Sequence, residues 1–131
     1  MEKIYWVSRQ KMSLGQIKAV REIHGDDVKI IKDRVVFKTT EAFGEYLAEH
    51  HDGFTYTTAE TSHCLWAAVN GHQEFGVFEN HALRRKDDAL ELKAVYHVVR
   101  VSNRVEFQLA WTSRRYRKER YMQRQRQATR G

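Results

Sequence analysis

With 131 residues, 41% of them hydrophobic, the chain has the length of one domain that can bury a core without disulfide or metal staples. A single cysteine, Cys64, excludes an internal disulfide and fits a reducing compartment. No apolar run reaches membrane-spanning length and the first ten residues lack signal-peptide organisation, so a cytoplasmic protein with no membrane association is expected.

The formal charge of +6 is unevenly spread. Residues 113–131 hold eight Lys/Arg against one acid, Glu119, so residues 1–112 keep 15 of the 23 basic and 16 of the 17 acidic residues. The expected organisation is an α/β domain over 1–112 and an Arg-rich basic tail over 113–131.

In chain order, residues 4–7 form a short apolar run of aromatic and β-branched residues, the mark of a strand buried on both faces. Ser13 with Gln16 three residues on is a capping box, Leu14, Ile17, Val20 and Ile23 are expected on one helix face, and Gly25 closes the helix. Residues 28–38 hold two β-rich pieces, 28–31 and 35–37, either a small hairpin or two strands in series. Thr39 or Thr40 caps a second helix that buries Phe43, Tyr46 and Leu47, with Asp52 and Gly53 as its stop. Residues 54–57 read as a strand, and Thr58 as the cap of a third helix carrying Leu65, Trp66 and Val69 and ending at Asn70 and Gly71. A further strand is expected over 74–78, then a charged loop over 79–89.

Residues 90–112 read as a long antiparallel hairpin turning at Ser102 and Asn103. A two-residue loop there sets Val101 opposite Arg104. The pairs Val98–Phe107, Tyr96–Leu109 and Ala94–Trp111 then share one apolar face, while His97–Gln108, Val95–Ala110 and Lys93–Thr112 share the other. Strands alternating with helices predict a Rossmann-like, mainly parallel sheet covered by helices and extended by this hairpin. A two-layer α+β sandwich is the competing architecture.

In an open α/β sheet, ligands sit beyond the carboxyl ends of the strands, where helix N-termini also point. Two segments meet there: Ser8, Arg9 and Gln10 after the first strand, and Thr57, Thr58, Thr61 and His63 after the strand over 54–57. Hydroxyls, a guanidinium and free N–H groups suit a phosphate or another anion. Candidate ligand-binding residues are therefore Ser8, Arg9, Thr57, Thr58, Thr61 and His63; the plain alternative is that Thr58 only caps its helix and Arg9 is solvated. Residues 4–20, IYWVSRQKMSLGQIKAV, resemble the start of small Rossmann-like CRISPR-accessory proteins of the CARF and ring-nuclease type. Those open with a strand ending in a Ser-Arg or Ser-His pair, followed by a helix. The resemblance implies binding, with or without cleavage, of a cyclic oligoadenylate near Ser8 and Arg9.

The seven histidines show no metal-ligand spacing, so neither a metal nor a cofactor is expected, and structural or surface roles are expected for all seven and for Cys64. Glu79 and His81, followed by Arg84, Arg85 and Lys86, are the acid–base candidates for phosphodiester chemistry, against a plain reading as a polar turn. In the tail, Arg114, Arg115, Arg117, Lys118, Arg120, Arg124 and Arg126 interleave with Tyr116 and Tyr121. Cations for phosphates with aromatic rings for unpaired bases point to RNA or single-stranded DNA. The expected function is a nucleic-acid-associated accessory factor rather than an enzyme. The alternatives are a nucleotide-binding or nucleotide-cleaving enzyme and a module that binds an acidic protein surface.

Overall fold

The computed structural model describes residues 2–58, 61–71, 73–82 and 90–112. Its elements are β1 (Lys3–Val7), α1 (Leu14–His24), β2 (Lys29–Asp33), α2 (Thr40–Glu49), β3 (Gly53–Thr57), α3 (Thr61–Gly71), β4 (Phe75–Ala82), β5 (Leu90–Val101) and β6 (Arg104–Thr112). Six strands make one mixed sheet in the order β2-β1-β3-β4-β5-β6. The first four are parallel, each joined to the next through a helix, and β5 and β6 are antiparallel to their neighbours. The basic tail lies outside the described residues.

Alternation along β1 builds the layers. Ile4 and Trp6 point to the α1 side, where they pack with Ala19, Val20, Tyr56, Phe78 and Val95. Tyr5 and Val7 point to the α2 side beside Tyr46. Phe43 and Leu47 of α2 continue that second layer with Cys64, Ala67 and Ala68 of α3 over Phe75 and Val98. Both faces of β1 are covered, which is why all four residues from Ile4 to Val7 are buried. No helix among the described residues is long and apolar enough to cross a membrane.

The capping box forms as expected: Gln16 N–H donates to Ser13 Oγ and Ser13 N–H to Gln16 Oε1. Gly25 closes α1 at φ 108, a conformation open to glycine. Of the expected stripe, Val20 is buried and Ile17 and Ile23 pack against the same core, but Leu14 is 85% exposed and Gln16 and Ala19 complete the buried side. Each three-residue step falls about 60° short of a full turn, so four such positions fan across half the helix. Thr39 caps α2, and Phe43, Tyr46 and Leu47 are buried as expected. Gly53 does not stop that helix; it opens β3, paired with Lys3.

Three expectations are corrected. Of the two β-rich pieces in 28–38, only Lys29–Asp33 is a strand; Val35, Val36 and Phe37 run as a loop into α2. In α3, Leu65, Trp66 and Val69 are at the surface at 37–45% exposure, and Cys64, Ala67 and Ala68 face inward. The sheet and α2 present the large groups Phe43, Phe75 and Val98 there, so the helix meets them with its small side. β4 runs to Ala82, which turns the expected loop start at Glu79 into strand.

The hairpin keeps the expected register from Val101–Arg104 through Tyr96–Leu109 and then slips by one, pairing Val95 with Trp111 and Ala94 with Thr112. Ala110 is the extra residue of a β-bulge, so the expected Ala94–Trp111, Val95–Ala110 and Lys93–Thr112 pairs do not form. A second bulge leaves Lys93 unmatched by β4, between Glu79–Ala94 and Asn80–Leu92. At the turn the positive φ falls on Ser102, at 56°, not on Asn103. Phe107 and Leu109 remain 42% and 54% exposed on β6, the outermost strand of the sheet.

Candidate functional site

Chain direction fixes where a ligand would sit. From β1 the chain passes through α1 to β2 on one side, then through α2 to β3 on the other, so the strand order reverses between β1 and β3. Loops leave such a point in opposite directions and open a crevice at the carboxyl ends of the strands. A cleft of about 360 Å³ lies there, lined by Val7, Ser8, Arg9, Gln10, Val35, Val36, Phe37, Thr57, Thr58 and His63.

The polar wall is held by specific bonds. Ser8 Oγ accepts the Gln10 N–H at 3.1 Å and lies 2.9 Å from Thr58 Oγ1. Trp6 Nε1–H donates to the Gln10 carbonyl at 3.1 Å, clamping the same loop from below. Whichever hydroxyl donates in the Ser8–Thr58 pair, the other keeps its hydrogen, so the pair offers one O–H to a third group. Arg9 is exposed and adds a guanidinium at the rim. His63, in the first turn of α3, has its Nδ1 out of reach of solvent and, among the described residues, without a hydrogen-bond partner. Such a group is costly to leave unsatisfied, by about 1–3 kcal/mol.

The opposite wall is apolar. Val35, Val36 and Phe37 follow β2, whose last residue, Asp33, accepts a bond from Tyr46 Oη–H at 3.0 Å. Val36 is half exposed, while Phe37 packs against Phe43 and Tyr46. The cleft thus joins hydroxyl, guanidinium and imidazole groups on one side to aliphatic and aromatic surface on the other.

Of the residues singled out in the sequence, Ser8, Arg9, Thr57, Thr58 and His63 converge on this cleft. The side chain of Thr61 lies outside the described residues. The hydroxyl of Thr58 is turned to Ser8; its expected role as the cap of α3 involves residues 59 and 60, which lie outside the described residues. Gln10, which the sequence places in the same segment as Ser8 and Arg9, also lines the cleft, and the 35–37 wall is the lining that a strand assignment concealed.

The other candidates lie elsewhere. Glu79 sits within β4 opposite Ala94 and away from the lining of the cleft. The side chain of His81, the run Arg84, Arg85 and Lys86, and every tail residue from Arg114 to Arg126 lie outside the described residues. Cys64 is fully buried, and burial pushes its thiol up to about 12, which leaves it a packing residue. His50 and His51 bond the carbonyls of Tyr46 and Ala48, satisfying the last turn of α2. Among the described residues no group of three or more His, Cys, Asp or Glu side chains is placed to hold a metal ion. Compared with protein-family models, with curated proteins and with solved structures, the chain finds no match in any of the three.

Proposed function

We propose that the protein binds a small phosphate-bearing, nucleotide-like ligand in the cleft between β1 and β3, on a Rossmann-like sheet extended by the β5–β6 hairpin. One observation carries this reading: Ser8, Arg9, Thr58 and His63, from separate loops, meet at the point where the strand order reverses, facing the apolar wall of Val35, Val36 and Phe37. The hydroxyl pair and Arg9 would take the phosphate, and the apolar wall the flat base. The resemblance of residues 4–20 makes a cyclic oligoadenylate the first ligand to try.

Calorimetric titration of the full chain with AMP, linear oligoadenylates and cyclic oligoadenylates tests this. Binding by at least one is expected, with Arg9→Ala weakening it by about 10-fold or more, the equivalent of one charge-assisted hydrogen bond. Absence of binding by all of them, or an Arg9→Ala affinity equal to the original, would overturn the reading.

A second reading rests on the segregated charge. Eight of the 23 basic residues lie in 113–131 with a single acid, which favours a polynucleotide, RNA or single-stranded DNA, as partner of that segment. Replacing Arg114, Arg115, Arg117 and Arg120 together with Ala is expected to weaken single-strand binding. The slope of log affinity against log salt should fall by up to about 3, at roughly 0.7 per phosphate contact. An unchanged slope removes this reading, and salt-sensitive capture of an acidic protein without polynucleotide binding replaces it with a protein-docking role.

A further inference from the structure

At the opposite end of the sheet from the cleft, five side chains from five separate segments form one continuous line. Glu2, just before β1, meets His24 Nδ1 with both carboxylate oxygens, at 3.1 and 3.2 Å. His24 Nε2 lies 2.6 Å from Tyr56 Oη, and the same oxygen lies 3.0 Å from His97 Nε2. His97 Nδ1 closes the line on Glu74, just before β4, at 3.0 Å. Tyr56 is fully buried in the centre, and the two imidazoles are 6.2 Å apart between ring centroids.

Counting hydrogens along this line gives a definite answer. A carboxylate only accepts, so both Nδ1 atoms must carry hydrogen. The phenol has one hydrogen, so it donates to one Nε2 and must accept from the other. The two rings therefore carry three hydrogens between them when all four links are made. One ring is an imidazolium and the other is neutral. Shifting two hydrogens through the phenol oxygen exchanges the roles of the rings without breaking a link.

We infer that Glu2, His24, Tyr56, His97 and Glu74 form a proton-holding chain that keeps one excess hydrogen between two partly buried imidazoles and makes the seating of α1 on the sheet depend on pH. A second added proton would put two cations beside each other and leave the phenol hydrogen without an acceptor. Removing the first leaves one Nδ1 or one Nε2 lone pair facing another acceptor.

The surroundings fit. Burial, then the charges of Glu2 and Glu74, push the Tyr56 phenol up, so it remains a neutral donor at the centre. Burial lowers His97 most, helped by His24 and opposed by Glu74. Several charged groups nearby are engaged elsewhere. Lys3 pairs with Asp52, Glu106 with Arg104, and Glu22 accepts from Trp111; Arg21 is exposed.

The sign follows from the lowered His97. An unfolded chain takes up protons on both rings near 6.5, whereas the folded chain keeps one and refuses the second until lower pH, so stability is lost as pH falls below that value. The one hydrogen the chain holds contributes stability that is lost as pH rises. Nitrogen-15 spectra of the histidine rings in the full folded chain at pH 7 test the count directly. One ring of the His24–His97 pair should be protonated on both nitrogens and the other on Nδ1 alone. Tyr56→Phe, which keeps the ring and removes the link, should return both to single protonation. Two singly protonated rings in the original chain would overturn the inference. So would a doubly protonated ring that survives Tyr56→Phe. The urea midpoint should fall between pH 7 and 5, with a shallower fall in His97→Gln; equal falls would also overturn it.

Discussion

Gly76→Ala is expected to destabilise the fold by about 3 kcal/mol or more, the upper range for overpacking a filled core. A Cβ on Gly76 would lie 2.0 Å from both Cδ1 and Cε1 of Tyr56. Relief would require the ring to move, and the ring has no free direction. Phe54 and Phe78 flank it, the imidazoles hold its hydroxyl, and Gly76 is paired in register with Tyr56 on one side and His97 on the other. Against a total stability of about 5–15 kcal/mol, such a loss leaves a marginal protein. Urea unfolding with Gly44→Ala as the control separates this from ordinary glycine effects. Gly44 lies within α2 with open space at its Cβ, so alanine there should stabilise by up to about 1 kcal/mol. A Gly76→Ala protein as stable as the original would mean that Tyr56 does not pack as described.

Trp6→Ala should cost about 3–5 kcal/mol, as for other fully buried aromatic truncations. Trp6 is 1% exposed and meets Phe78 edge-on at 5.0 Å in the layer under α1. Its second role reaches the cleft, because the indole N–H holds the Gln10 carbonyl and hence the loop that presents Ser8 and Arg9. Trp6→Phe separates the two roles. It keeps most of the apolar contact and deletes the donor, so stability should fall by less than half as much while nucleotide affinity falls as in Arg9→Ala. If Trp6→Phe binds as tightly as the original, the indole bond does not position that loop.

Much of the architecture was legible because local chemistry and global packing agree. The Ser13–Gln16 box, the Thr39 cap and the buried trio Phe43, Tyr46 and Leu47 each follow from neighbours along the chain. The cleft residues Ser8, Arg9, Thr57, Thr58 and His63 were legible because a parallel sheet places its βα loops at one edge. What escaped depended on distant partners. The inward side of α3 is chosen by the bulk of Phe43, Phe75 and Val98, which no periodicity within 61–71 reveals. Val35, Val36 and Phe37 have strand composition, yet they run as loop between β2 and α2 and line the cleft instead. The histidines gave no ligand spacing because His24 and His97 meet through Tyr56, across segments far apart in sequence.

The bulge at Ala110 changes the arithmetic of the hairpin. Before it, odd-numbered residues of β6 such as Phe107 and Leu109 share a face with Val98 on the α3 side. After it, Trp111 is odd-numbered too, yet it stands opposite Val95 on the α1 side and reaches Glu22. One unpaired alanine therefore acts as a parity switch: it lets a single strand turn its odd-numbered side chains first to one side of the sheet and then to the other. In a strand that only alternates, the same change of side would need a break in the sheet.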